Sequence, residues 1–280
     1  MIFDARPCEL GEGPLWHPVR QQLFWFDITA RSLLSRVHNG PQIWRFAEMV
    51  SAAGWVDRDQ LLIAGEHGLF LFDLITEQRK PLADLEADNR LTRSNDGRTD
   101  PQGGFWIGTM GKKAEPGAGA IYRWYRGEMR CLFIAITIPN AICFSVDGRY
   151  AHFADTVTRQ VMRVALDGQG WPKGEPELYL DLSREALNPD GAVIDASGLM
   201  WLAEWGAGRV AAYAPDGTRV RCVSLDAPHT SCPAFGGETL FCTSALQGMD
   251  PRTRANFPAA GQTFMVHGIA KGQVEYQVHV

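Results

Sequence analysis

Four oxygen-bearing side chains stand in glycine- or proline-framed stretches just ahead of apolar runs: Glu12 in LGEGPLWH, Asn95 in LTRSNDGRTD, Asn140 in ITIPNAICF and Asp190 in LNPDGAVID. Two carboxylates and an amide carbonyl are hard donors, suited to Ca²⁺, Mg²⁺ or Mn²⁺ and acceptable to Zn²⁺ or Fe²⁺. Three such protein ligands leave positions open for water and substrate, the arrangement of a catalytic rather than a structural site. Each residue also has a plainer reading. Glu12 between glycines fits a solvated loop, Asn95-Asp96-Gly97 a turn, and Asn140 after proline the cap of a bend. Pro189-Asp190-Gly191 has the composition of a tight turn, because proline presets φ, aspartate folds onto its own backbone and glycine tolerates φ > 0.

Other chemistries leave no trace. There is no G-x-S-x-G elbow, no H-E-x-x-H and no Walker A loop, and GEGPLW stops after two glycines of a dinucleotide fingerprint. The seven histidines have no metal-ligand spacing, and the six cysteines form no C-x-x-C pair. Cys143 and Cys242 fall in apolar strand-like runs, where a reduced thiol acts as a small hydrophobe. A formal charge of −5 without a basic stripe argues against nucleic acid. MIFDARPCELGEG lacks the basic and apolar regions of a secretion signal, and no apolar run is long enough to span a membrane. A cytoplasmic location is expected.

The elements that must hold these residues follow a repeat. An aromatic or branched strand, a small-residue break, an alternating strand and a polar turn recur, as in QQLFWFDITARSLLSRVHNG and GLMWLAEWGAGRVAAYAPDG. The leading strands centre near Trp25, Leu62, Trp106, Phe153, Trp201 and Phe241, a spacing of roughly 40 to 50 residues that belongs to propeller blades. Approach strands closed by turns such as DPQGG, SVDGR and DASGL precede several units. Nine tryptophans, 29 glycines and little helical periodicity fit the same class. The expectation is all-β, a six-bladed β-propeller forming a single domain over residues 1–280, with site residues gathered from several blades at one mouth of the channel.

RSNDGRTDPQGGFWIGTM, IPNAICFSVDGR, NPDGAVIDASGLMWLAEWGAGRV and HTSCPAFGG occur in this order, and with GEGPLWHP they resemble the senescence marker protein/regucalcin and gluconolactonase family of metal-dependent sugar lactonases. The resemblance implies that Glu12, Asn140 and Asp190 bind one divalent ion and that Arg93 and Asn95 face the sugar. Where some members carry an acidic residue after G-T-M, this chain has Lys112 and Lys113, which implies a more basic rim and a different preferred sugar.

A sugar lactone is a cyclic ester. On that resemblance a divalent ion is expected to polarise its carbonyl, Arg93 and Asn95 to donate hydrogen bonds to substrate oxygens, and Asp190 to be the base for the attacking water. Lys112 and Lys113 suit an anionic substrate or the acid product, or form a solvated loop pair. His17 and His229 are expected to be structural. Trp16, Trp106 and Trp201 are expected in the blade core, with one available to stack on a sugar. The partner is then a small-molecule sugar lactone, with no nucleic acid or membrane. Two alternatives are a non-catalytic Ca²⁺-binding or protein-interaction propeller, and a metal-dependent esterase of another ester class.

Overall fold

The computed structural model describes residues 1–280. Its strands form six four-stranded antiparallel sheets, each an up-and-down blade, so the chain is an all-β six-bladed propeller. The one α-helix, Pro251–Asn256, begins at the Asp250 cap, whose carboxylate accepts from the Thr253 N–H. No helix is long and apolar enough to cross a membrane.

The recurring strands around Trp25, Leu62, Trp106, Phe153, Trp201 and Phe241 are second in their blades. The approach strands are the inner ones: Gly11–His17, Val50–Trp55, Thr92–Thr99, Pro139–Phe144, Asn188–Ile194 and Thr230–Gly236. Blades 1 to 5 are each built from consecutive strands. Blade 6 is closed by the chain's beginning, Ile2–Asp4, which pairs with Thr263–His267. The ring is thereby sealed by hydrogen bonds between the two ends of the sequence.

Blades cannot bury both faces alone, and the core accordingly lies between them. Phe24, Phe26 and Trp44 of blade 1 pack on Leu61, Ile63 and Phe72 of blade 2, and the other five interfaces carry clusters of their own. Trp106 and Trp201 are fully buried, and their indole N–H groups donate to Asp100 and Asp195. Those aspartates also accept from the backbone of the DPQGG and DASGL turns. All six cysteines are free, and Cys143 and Cys242 are buried in strands.

Every inner strand changes register against its neighbour, between Glu12 and Leu15, Val50 and Ala52, Ser94 and Gly97, Asn140 and Cys143, Pro189 and Ala192, and Thr230 and Pro233. Such bulges re-aim side chains without ending the strand. They correct the turn reading of Pro189-Asp190-Gly191 and of Asn95-Asp96-Gly97, which lie inside strands. Gly191 is needed for a different reason from φ: a Cβ there would sit 2.2 Å from the Cys232 sulfur on blade 6.

The far end of the channel is covered by the last residues. The Asp195–Gly272 bridge starts this segment, Gln273 Nε2 donates to the Ile194 carbonyl at 3.0 Å, and the Trp55 indole donates to the Glu275 carbonyl at 2.9 Å. Val278 N–H donates to the Trp55 carbonyl and His279 N–H to that of Gly103. Glu275 forms an ion pair with Arg98 at 2.5 Å, both largely buried. Beneath it is a void of only about 20 Å³, room for about one water.

Candidate functional site

At the opposite end, Glu12, Asn95, Asn140 and Asp190, at or within the bulges, join Arg93, which keeps its register opposite Met110, in one cavity of about 400 Å³ drawn from four blades, within the range of small-molecule sites. All five are buried, with Asp190 5% and Asn140 4% exposed. The bulge backbone does this locally. Gly13 at φ 52° follows Glu12, and Ala141 at φ 56° follows Asn140. A left-handed alanine costs about 1 kcal/mol or more, a cost tolerated because surrounding contacts fix the bulge.

The side chains form a connected set. The Asn95 amide donates to the Pro139 carbonyl and to Asn140 Oδ1, both at 3.0 Å. Arg93 Nη1 donates to Asn95 Oδ1 at 2.9 Å and to the Ser94 carbonyl at 2.8 Å. Asn140 Nδ2 donates to Thr156 Oγ1, which donates to the Pro189 carbonyl, each at 2.8 Å. Blades 3, 4 and 5 are thus tied through the site, and Asn140 is held with its oxygen toward Asn95.

The carboxylates are poorly satisfied by comparison. Glu12 accepts from the Gly13 N–H, and the Gly191 N–H is the weakest of the influences on Asp190. Burial, and then the charge of Asp96, pushes the Glu12 carboxyl from 4.5 up to about 8. Burial, followed by Glu12 and Asp96, raises Asp190 well above its ordinary value. Burial brings the Arg93 guanidinium down to about 10, against the pull of Glu12 and Glu66. Two buried carboxylates that repel one another beside an amide oxygen form a donor set that fits one hard divalent ion. No three His, Cys, Asp or Glu side chains are grouped to hold a metal; the further oxygen that shares the cavity with Glu12 and Asp190 is the amide of Asn140.

Two residues of this region escaped sequence reasoning. Asp96, read as part of a turn, is a third buried carboxylate, pushed up to about 6 by burial; its Oδ2 accepts from the Ile142 N–H of blade 4. The aromatic wall is Trp205, stacked on His229 with centroids 4.3 Å apart. Trp106 and Trp201 are core, and Trp16 stacks on Phe241 outside the cavity. The only sequence signal for Trp205 is its position at the end of the WLAEW strand. His17 bridges to the Asp57 carbonyl, a structural place. Lys112 and Lys113 line the cavity's rim, as expected of a loop after G-T-M.

Residues 10–246 match the family described as SMP-30/Gluconolactonase/LRE-like region. The chain is 44% identical to a Rhizobium meliloti (strain 1021) protein provisionally named a sugar lactone lactonase, over 95% of this chain and 92% of the other. It is 31% identical to a 6-deoxy-6-sulfogluconolactonase of Pseudomonas putida, over 92% and 91%. The crystal structure of a calcium-binding protein, regucalcin, from Agrobacterium tumefaciens superposes with a TM-score of 0.97 at 38% identity, covering 100% of this chain and 97% of the other.

Proposed function

The chain belongs to the SMP-30/gluconolactonase/LRE-like family, and from that premise we propose that it hydrolyses a sugar lactone to the open hydroxy acid, using one divalent ion held by Glu12, Asn140 and Asp190. The observation that carries this reading is the convergence of those three buried donors with Arg93 in one cavity. Residues 1–280 act in it as one propeller domain, a reading supported by the pairing of the first strand with the last.

When bound, the ion supplies Lewis-acid polarisation of the ring carbonyl. Arg93 spends Nη1 within the protein, which leaves Nε and Nη2 to donate to the oxygen that gains charge. Both N–H groups of Asn95 are engaged, so it positions Arg93 and Asn140 and offers the substrate only its carbonyl. Asp190 takes a proton from water as the water oxygen bonds to the carbonyl carbon. The tetrahedral species collapses with cleavage of the ring C–O bond, and the proton passes from Asp190 to the departing oxygen. Beside the ion Asp190 is kept ionised, the form that can accept the proton, and it holds that proton only until the ring oxygen departs.

The test assays metal-stripped protein against five- and six-membered sugar lactones, restoring single divalent ions and subtracting spontaneous hydrolysis. Turnover above background is expected only with an ion, and Asp190→Ala should lower kcat/KM by about a thousandfold or more. Unchanged activity in that variant would remove Asp190 from the mechanism. Tight Ca²⁺ binding without turnover of any lactone would replace the enzyme reading with that of a binding protein.

A further inference from the structure

We propose that Lys113 makes this site selective for sugar lactones carrying a second, anionic group on the carbon remote from the ring carbonyl; the inference rests on the lactonase reading above. The cavity has a depth gradient of chemistry. Glu12, Asn140, Asp190 and Arg93 form its buried floor, where the carbonyl reacts, and Lys112 and Lys113 form its exposed rim. A ring seated with its carbonyl on the floor presents its exocyclic end to the rim.

The two lysines differ. Lys112 Nζ is paired with Glu66 and donates to the Arg90 carbonyl, so its charge is answered within the protein. Lys113 forms no ion pair. Glu115, the acid of its own loop, turns back to accept the Lys113 backbone N–H at 3.0 Å. Once an ion balances Glu12 and Asp190, the cavity retains the positive charges of Arg93 and Lys113. Arg93 serves the reacting end and leaves Lys113 to answer an anion at the other.

The backbone of the loop that carries Lys113 is fixed at several points. Lys112 N–H donates to the Leu91 carbonyl, Ala114 N–H to that of Gly111, and Gly117 N–H to Thr137 Oγ1. Ala114 sits at φ 57°, and a Cβ at Gly111 would strike the Glu115 carboxylate at 2.1 Å.

The test compares kcat/KM, with the restored ion, on a neutral hexonolactone, on its counterpart ending in a carboxylate, and on one ending in a sulfonate. At least one anionic lactone should exceed the neutral one, and rising ionic strength should erode that advantage. Which of the two does so identifies the anion. The anionic-to-neutral ratio should fall about fivefold in Lys113→Met and more than tenfold in Lys113→Glu. Lys80→Met, on the outer strand of blade 2, should leave the ratio as it is. A neutral lactone turned over at least as well as both anionic ones, or a ratio indifferent to Lys113, overturns this inference alone. No turnover of any lactone overturns the lactonase reading and this inference together.

Discussion

Glu12, Asp96 and Asp190 are three carboxylates sharing one buried region, and all three bind protons more tightly in the folded chain than in the unfolded one. Groups whose folded affinity is raised contribute stability that is complete below the unfolded pKa, near 4, and lost as pH climbs through the folded values. For Asp96 and Glu12 those values are about 6 and about 8. The ion-free protein should therefore lose thermal stability steadily from pH 5 to pH 8. An added divalent ion should raise Tm more at pH 8 than at pH 5, since it offsets repulsion that exists only when the carboxylates are charged. Differential scanning calorimetry at the two pH values checks both, and Glu12→Gln should flatten the slope and shrink the effect of the ion. A Tm independent of pH over this interval contradicts the electrostatic account.

At the scale of the strand, the bulge is what turns sequence into site. Its residues belong to the vocabulary of turns, which is why Pro189-Asp190-Gly191 reads equally well as a turn from composition. What decides between them is non-local: Thr156 of blade 4 donates to the Pro189 carbonyl, and Cys232 of blade 6 stands against Gly191. Gly191→Ala should cost about 2–3 kcal/mol by overpacking, seen as a drop in Tm together with weaker ion binding. Cys232→Ala should not rescue it, because the Cβ and Cα of residue 232 are themselves 2.5 and 2.8 Å from the added methyl. The blade repeat was legible because each strand shows its buried faces in its own residues; the glycine and proline frames marked Glu12, Asn140 and Asp190 as candidates, while their joint role, and Arg93, came from the family resemblance. Asp96 and Trp205 were not legible. Asp96 shares its turn-like context with Asn95, and Trp205 differs from the core tryptophans only in what its neighbours leave uncovered.

For the whole molecule, the two ends of the chain do different work. The first strand closes the ring through a ladder, while the last ten residues cross the far mouth and touch several blades without joining a sheet. Their sequence, KGQVEYQVHV, alternates like a strand, so its role as a cover could not be read from pattern; its partner Arg98 lies 177 positions away from Glu275. Removing one member of a buried ion pair leaves the other uncompensated. Glu275→Ala should cost about 3–5 kcal/mol, and Arg98→Met with Glu275→Leu should recover most of that loss, both measured by urea unfolding. A double variant no more stable than Glu275→Ala would mean that the segment is held by its backbone contacts instead. The cover also has a kinetic meaning. A ring of blades is potentially a corridor, but here one doorway is stoppered, so lactone must arrive and hydroxy acid depart through the same doorway. Traffic in the two directions is mutually exclusive, and the acid should act as a competitive inhibitor of its own formation.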